Sequence, residues 1–154
     1  MESQHIFSQN KLNSEKQLIY LTGEVPINDY ITTHLPSSTY DFIFLKKEDL
    51  TLGFYQYQNA YYIEQNILKY DINIAKQIHI NKIRRLRDAK FPPLDVAFMR
   101  AVERGDTAKQ QEIAAEKQKL RDITAHPAID AATTLEELHV LTIDILLSMT
   151  TITT

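Results

Sequence analysis

The sequence predicts an α+β fold, with a small antiparallel sheet in the first half and helices in the rest. Three observations support this prediction. Short runs rich in β-branched and aromatic residues recur up to residue 63, helix-forming cations cluster at residues 82–87, and apolar residues return every three or four positions from residue 94 onward. The predicted divisions are an N-terminal α+β domain at residues 1–66, a connecting basic helix at 67–91 and a C-terminal helical region at 92–154.

Length and composition fit one domain of ordinary size or two small ones. The chain has 154 residues, so a hydrophobic core can stabilise it without disulfides. It contains no cysteine, which excludes thiolate metal ligands and suits a reducing compartment. The first residues lack the basic and apolar regions of a secretory signal, and the longest apolar run, residues 140–149, is too short to cross a bilayer. We therefore expect a protein that is neither secreted nor inserted in a membrane.

The net charge of −3 argues against a general nucleic-acid-binding protein. The chain has 17 basic and 20 acidic side chains, whereas such proteins carry a basic excess. The distribution is uneven, because residues 91–154 hold six basic and ten acidic side chains and residues 1–90 are close to neutral. We expect no nucleic-acid partner.

In the first half of the chain, strand-forming runs alternate with turn residues. The first fifteen residues lack sustained periodicity, so we expect a loose arm there. A short helix is predicted from Pro26 to Leu35, because proline suits a first helical turn and Pro36 ends the pattern. The predicted strands are Gln17–Thr22, Tyr40–Leu45, Leu50–Tyr57 and Tyr61–Ile63. Joined by tight connections at Lys47–Asp49 and Gln58–Asn59, they would form an antiparallel β-meander.

Residues 64–80 carry two competing patterns. Isoleucine at alternate positions (72 and 74, then 78 and 80) is typical of a strand, whereas the absence of glycine and proline suits a helix. The helix formers from Lys82 to Arg87 favour a helix from about Ala75 to Lys90. The position at which this helix begins stays open.

The C-terminal third is predicted to contain an antiparallel helical hairpin, Leu94–Ile123. Pro92-Pro93 breaks the chain before it, and Pro127 ends it. Gly105 suits a left-handed helix C-terminus, and Asp106 is a natural N-cap for the second helix. The residues expected on the buried faces are Leu94, Ala97, Phe98, Ala101, Val102, Ile113, Ala114, Leu120 and Ile123.

One last helix is predicted after the capping box Thr134–Glu137. The apolar stripe along it consists of Leu138, Leu141, Ile145 and Met149, at spacings close to a heptad seam. Such a stripe is too apolar to face water, so we expect it to pack against a partner or against the helical hairpin. A homo-oligomer is compatible with this stripe, and the sequence does not choose between a monomer, a dimer and a trimer.

No catalytic, metal or cofactor site is predicted. The five histidines, at positions 5, 34, 79, 126 and 139, include no pair three or four residues apart and no HExxH pattern, so surface and helix-cap positions are their first interpretation. The sequence has no P-loop, GxGxxG or GxSxG motif. The carboxylate pairs Glu48-Asp49 and Glu136-Glu137 suit a turn and a first helical turn. A catalytic pair assembled from distant residues stays open.

A basic cluster at Lys82–Arg87 is the first candidate partner-binding site. It places four cations within six residues, and Arg84, Arg85 and Arg87 are its candidate contact residues. A solvated or ion-paired helix face is the first interpretation and a protein-docking patch the second. Nucleic acid is last, because phosphate recognition requires more positive surface than one helical turn.

An aromatic set is the second candidate: Phe54, Tyr55, Tyr57, Tyr61 and Tyr62. On the predicted strand, Tyr55 and Tyr57 share one face and Phe54 takes the other. One face would then belong to the core and the other could recognise a partner, since tyrosine offers contact area and a polar hydroxyl. Core packing alone is the first interpretation, because strands favour aromatic residues in any case.

The segment Lys82–Leu141 resembles a known family. Its centre is RDAKFPPLDVAFMRAVERGD at residues 87–106, followed by EKQKLRDIT at 116–124 and TTLEEL at 133–138. This ordered combination resembles the C-terminal region of bacteriophage tail or tail-fibre assembly chaperones, where a basic helix leads into LDxxFMxALExGD, then KxxLRD and TTxEEL. In the N-terminal half, only Gly53–Tyr55 resembles the fibre-assembly chaperones.

The resemblance implies a phage- or prophage-encoded helper that is made in the cytoplasm of the bacterial host. Such a protein would bind a tail fibre or tail protein during folding, in some cases staying on the virion. An unassembled fibre exposes strand edges and apolar surface, and a protein that covers them needs no active site. Two other functions stay open: a structural virion subunit attached to the tail or tail fibre, and a phage-encoded inhibitor of a host protein.

Overall fold

The computed structural model divides into two units, Met1–Ala75 and Lys76–Thr154. It describes residues 4–13, 15–21, 31, 34–35, 37, 39–45, 50 and 52–151. The described strands lie in the first unit, and helices make up most of the second, so the predicted α+β class is confirmed.

The elements follow one another in chain order. The first unit contains strands β1 (Gln4–Asn10), β2 (Lys16–Leu21) and β3 (Tyr40–Leu45), helix α1 (Leu52–Gln56), a 3-10 turn (Gln58–Ala60), and strands β4 (Tyr61–Glu64) and β5 (Ile67–Tyr70). Helix α2 (Ile72–Asp88) begins in the first unit and continues into the second. It is followed by α3 (Phe91–Glu103), α4 (Thr107–Asp122), a 3-10 turn (Ile123–Ala125), α5 (Pro127–Ala131), α6 (Leu135–Val140) and α7 (Ile143–Thr151).

Strand β1 is the centre of a three-stranded antiparallel sheet with the order β2-β1-β3. Gln9 pairs with Lys16 of β2 and with Asp41 of β3, so β1 has a hydrogen-bonded neighbour on each side. The prediction of a loose arm is therefore wrong. Only Ile6 and Phe7 are apolar in this strand, and both are fully buried. As adjacent residues they face opposite sides of the sheet, which leaves no period-two pattern to recognise.

The strand order also corrects the predicted meander, since β2 and β3 are not neighbours and each of them pairs with β1. The strands predicted near β2 and β3 are confirmed. Strands β4 and β5 form a separate hairpin, in which Glu64 pairs with Ile67. Its two turn residues, Gln65 and Asn66, have φ of 51° and 61°, as a type I′ hairpin turn requires.

The predicted strand Leu50–Tyr57 is wrong, because this segment contains helix α1. Phe54 and Tyr57 lie three residues apart, so one helical face can bury both, whereas a strand would direct them to opposite faces. The Phe54 ring packs edge-on against Phe7 at 6.2 Å between centroids. Phe7, Leu45, Phe54 and Ile63 form one cluster in the core of the first unit.

Three further expectations in the first half have different outcomes. Gln58–Asn59 lies in a 3-10 turn between α1 and β4 and does not join two strands. The ambiguous segment 64–80 contains β5 and then α2, which begins at Ile72, where the Asp71 carboxylate accepts a hydrogen bond from the Asn73 amide at 2.8 Å. The predicted helix Pro26–Leu35 falls largely, and the turn Lys47–Asp49 wholly, outside the described residues.

The predicted hairpin is confirmed as helices α3 and α4. Gly105 adopts φ +66° between them, and the Asp106 carboxylate caps α4 by accepting a hydrogen bond from the Lys109 amide at 3.0 Å. Pro92-Pro93 lies inside the first turn of α3, where proline leaves no hydrogen bond unmade. Of the residues expected to be buried, Val102 and Ala114 are exposed instead.

The prediction of one continuous last helix is wrong, because α6 and α7 are separated at Leu141-Thr142. The Thr134/Glu137 capping box is present at the start of α6, as predicted. In a continuous helix the Leu141 carbonyl would accept from the Ile145 amide. Here that carbonyl accepts from His79 Nε2 at 3.0 Å, and the Ile145 amide lies 3.4 Å from Thr142 Oγ1.

Candidate protein-binding surfaces

The aromatic set is divided between core and surface. Phe54 and Tyr57 are 1% and 0% exposed, Tyr61 and Tyr62 are half-buried, and only Tyr55 is exposed, at 51%. The expected strand with two aromatic faces is therefore wrong. Burial raises the pKa of Tyr57 to about 12, against the smaller opposite effect of a hydrogen bond with Gln56, so this phenol stays neutral.

The basic cluster is partly neutralised by contacts within the chain. The Arg87 guanidinium forms an ion pair with Asp88 at 3.0 Å and lies 5.9 Å from the centre of the Phe91 ring. Arg84 donates a hydrogen bond to the Asn81 side chain at 3.2 Å. Arg85 is exposed, and its side chain has no ion pair or hydrogen bond among the described residues. The three arginines therefore do not form one uniform patch.

The apolar stripe is divided by the break between α6 and α7. Leu138 and Leu141 lie in the core of the second unit. Ile145 and Met149 stay 39% and 40% exposed, because Ile143 and Leu146 occupy the buried side of α7 instead. The break rotates the helix, so that the residues after Thr142 no longer continue the seam that Leu138 begins.

One apolar surface was not anticipated from the sequence. The outer side of α3 exposes Pro92, Val96 (50%) and Met99 (57%), with Arg100 and Arg104 beside them. We call these five residues the α3 face. Val96 and Met99 were not among the apolar residues expected to be buried. Their spacing of three residues, on the side of the helix opposite the buried face, could have indicated a second apolar surface.

A small notch borders the α3 face at the hairpin turn. Its volume is about 190 Å³, and it is lined by Ala97, Arg100, Ala101, Arg104, Asp106 and Lys109. Pockets for small-molecule ligands and cofactors occupy roughly 300–1,000 Å³, so this notch has the size of a side chain. The side chains of Arg100 and Arg104 make no ion pair or hydrogen bond within the described part of the chain.

The described histidines have different structural roles, although His79 and His139 are near enough to interact electrostatically. His126 Nδ1 caps α5 by accepting from the Ala128 amide at 3.2 Å, in agreement with a cap position. His79 contradicts the surface interpretation, because it is 1% exposed. The Nδ1 atom of His139 is buried and has no hydrogen-bond partner among the residues that the structure describes. Within the described residues, no three His, Cys, Asp or Glu side chains are grouped to hold a metal ion.

Two further findings complete the description. Among the helices that the structure describes, none combines the length and the apolar content needed to cross a bilayer. Comparisons with protein-family models, with curated proteins and with solved structures find no match for this chain.

Proposed function

We propose that this chain is a non-catalytic helper that binds a bacteriophage tail fibre or tail protein while that protein folds and assembles. One observation carries the proposal: large apolar side chains remain exposed on several helices of the second unit. They are Leu86, Val96, Met99, Val102, Val140, Ile145 and Met149. Exposed apolar residues at helical spacing are typical of surfaces that dock against another polypeptide.

The segment that resembles the phage assembly chaperones supports the same proposal. Residues 82–141 lie within the second unit and include the whole α3–α4 hairpin. The exposed residues Val96, Met99 and Val102 belong to this hairpin, so the segment with the resemblance also carries much of the exposed apolar surface.

The physical role of such a helper follows from the chemistry of an unassembled fibre. Until its chains close on one another, a fibre exposes strand edges and apolar surface, and both promote aggregation. A protein that covers these surfaces reversibly shifts the fibre chain from aggregation towards assembly. Apolar contact area of moderate size suits this role, because the helper must also be released.

Co-expression tests the proposal. The phage fibre protein would be produced in bacteria with and without this chain, and the trimer remaining in the supernatant after centrifugation would be quantified by native electrophoresis. We expect several-fold more trimer when the chain is present. Equal amounts of trimer in the two cultures would overturn the proposed function.

Mass spectrometry of purified phage particles separates a helper from a structural subunit. A transient helper should be absent or strongly substoichiometric relative to the fibre. Presence in a fixed ratio to the fibre would overturn the transient role and assign the chain to the virion.

A further inference from the structure

We propose that the α3 face and the notch beside it form a docking site for an acidic amphipathic segment of the partner protein. The proposal rests on the proposed function and deepens it, since it states the chemistry that the partner must present. Its elements are an apolar row, two arginines whose side chains have no partner among the described residues, and a side-chain-sized notch between α3 and α4.

The apolar row provides the contact area. Pro92, Val96 and Met99 follow one another at spacings of four and three residues, so they share one side of α3. All three are exposed to solvent in the second unit. A partner helix or extended segment with apolar side chains on one side would cover this row and remove it from water.

The arginines determine the charge of the partner. Arg100 lies four residues after Val96 and therefore flanks the row, and Arg104 follows one turn later. Residues 91–154 contain ten acidic side chains. Two of them form ion pairs with lysines, Glu112 with Lys109 and Asp95 with Lys117. Neither Arg100 nor Arg104 is paired within the described part of this acid-rich region. Acidic groups on the partner would complement them.

The notch gives one acidic side chain a specific position. Ala97 and Ala101 keep it open, because their side chains are small, and Arg100, Arg104 and Lys109 approach it from the two helices. Its volume of about 190 Å³ accommodates a glutamate or aspartate side chain.

A protein segment fits these groups better than nucleic acid does. Phosphate backbones require many cationic contacts, whereas this chain has a net charge of −3. A separate acidic segment can place its carboxylates against the arginines and its apolar side chains on the row.

A labelled peptide measures the proposed contact directly. The probe is a fluorescein-labelled helical peptide with leucine on its apolar side and glutamate at every polar position. The control peptide has lysine in place of each glutamate. Fluorescence anisotropy with the full chain should give a Kd on the order of micromolar for the glutamate peptide, because the face is small. Binding should weaken as salt is added, since exposed charges are screened.

Substitutions on α3 locate the site. Arg100→Glu and Arg104→Glu should each weaken binding of the glutamate peptide by about fivefold, the equivalent of one exposed ion pair. Met99→Ser should weaken it by a similar factor through lost apolar contact. Lys119→Glu is the matched control, because it makes the same charge change at an exposed site on α4 without altering affinity. Circular dichroism verifies that each variant stays folded.

Several results would overturn the docking site. These are equal affinity for the two peptides, unchanged affinity after Arg100→Glu and Arg104→Glu, displacement of the peptide by single-stranded RNA at lower concentration, and a dimer by light scattering that Met99→Ser dissociates. The first two results would show that the site does not select acidic segments. The third would assign the face to nucleic acid, and the fourth would assign it to a second copy of this chain.

The peptide assay and the co-expression assay fail independently. If the chain raises the yield of fibre trimer and the peptide does not bind, the helper function stands and the docking site is overturned. If the peptide binds as expected and trimer yield does not change, the proposed function is overturned and the partner is another acidic protein.

Discussion

The imidazole of His79 lies inside the second unit and donates its Nε2 proton to the Leu141 carbonyl at 3.0 Å. A carbonyl oxygen can only accept, so Nε2 carries the proton. The Leu141 carbonyl stands at the break between α6 and α7, and His79 satisfies an acceptor that the broken helix leaves open. One buried side chain therefore stabilises the end of a helix 62 residues away in sequence.

Replacing His79 should destabilise the fold. His79→Ala removes the donor, leaves the Leu141 carbonyl without this partner and opens a cavity, so we expect a loss of about 2–4 kcal/mol. His79→Gln keeps an amide donor and should lose less. Urea unfolding followed by circular dichroism measures both. Equal stability of His79→Ala and the parent protein would contradict this role for His79.

The pKa of His79 should make the stability fall in mild acid. Burial lowers this pKa below its ordinary value of 6.5, the Leu141 hydrogen bond acts in the opposite sense, and the neighbouring Lys82 and His139 lower the pKa further. The unfolded chain then takes up the proton more readily, so stability is complete above about pH 6.5 and decreases as the pH falls to the folded-state value. Urea midpoints across this range should show the decrease, and His79→Gln should remove it.

Glu137 provides a second residue with a defined pH dependence. The Thr133 amide and hydroxyl and the Thr134 amide donate to its carboxylate, which lowers its pKa below the ordinary 4.5. The ionised group supports the start of α6 above that value, and the support is lost as the pH falls through the lowered pKa. Glu137→Gln should therefore reduce the melting temperature at neutral pH but not in strong acid. The adjacent Glu136→Gln should have little effect at either pH.

At the scale of elements, the α3–α4 hairpin depends on the backbone of one residue. Gly105 has φ +66°, and a Cβ built there would meet no atom within 4 Å. The penalty for another residue is therefore conformational and not steric. Gly105→Ala should reduce the free energy of unfolding by about 1–2 kcal/mol, whereas Gly105→Asn should lose less, because asparagine tolerates this region. Thermal unfolding that ranks alanine above asparagine would contradict the explanation.

The break between α6 and α7 gives Leu141 and Ile145 different roles. Leu141 is buried in the second unit, whereas Ile145 is 39% exposed. Leu141→Asp should destabilise the fold by about 3 kcal/mol or more, since an unpaired charge would be buried. Ile145→Asp should change stability by less than about 1 kcal/mol. Denaturant unfolding of the two variants tests this, and equal losses would indicate that both side chains lie in one seam.

For the whole molecule, charge and exposed apolar surface together determine the tendency to self-associate. The chain carries a net charge of −3 near neutrality and has an isoelectric point of about 5.9. Electrostatic repulsion between molecules is smallest at the isoelectric point, and the exposed Val96 and Met99 remain available for contact. Light scattering should be maximal near pH 6 and decrease again in stronger acid. The variant Val96→Ser/Met99→Ser should reduce that maximum, and an unchanged maximum would exclude the α3 face as its source.

Sequence patterns predicted the parts of the fold that depend on neighbouring residues. The hairpin followed from Gly105, Asp106 and apolar residues three or four positions apart, and the capping box followed from Thr134 and Glu137. These signals act over one helical turn, so the chain itself carries them. Strands β2, β3 and β4 were recognised for a similar reason, from short runs of strand-forming side chains.

The candidate surfaces were less predictable. Leu138, Leu141, Ile145 and Met149 formed one stripe in sequence, but the break at Leu141-Thr142 buried the first two and exposed the others. The same limit applied to the α3 face. Which side of α3 becomes exposed depends on how α4 and the rest of the second unit pack against it, and a pattern within α3 does not specify that packing.

The amino-acid sequence by itself determined the α+β class, the hairpin turn at Gly105 and the start of α6, because local backbone preferences are sufficient for each. Tertiary contacts alone decided three features. They are the central position of β1, the helical state of α1 and the division of the last helix at Leu141-Thr142. In each case the deciding interaction comes from a distant segment: pairing with two strands, burial of Phe54 against Phe7, and the hydrogen bond from His79.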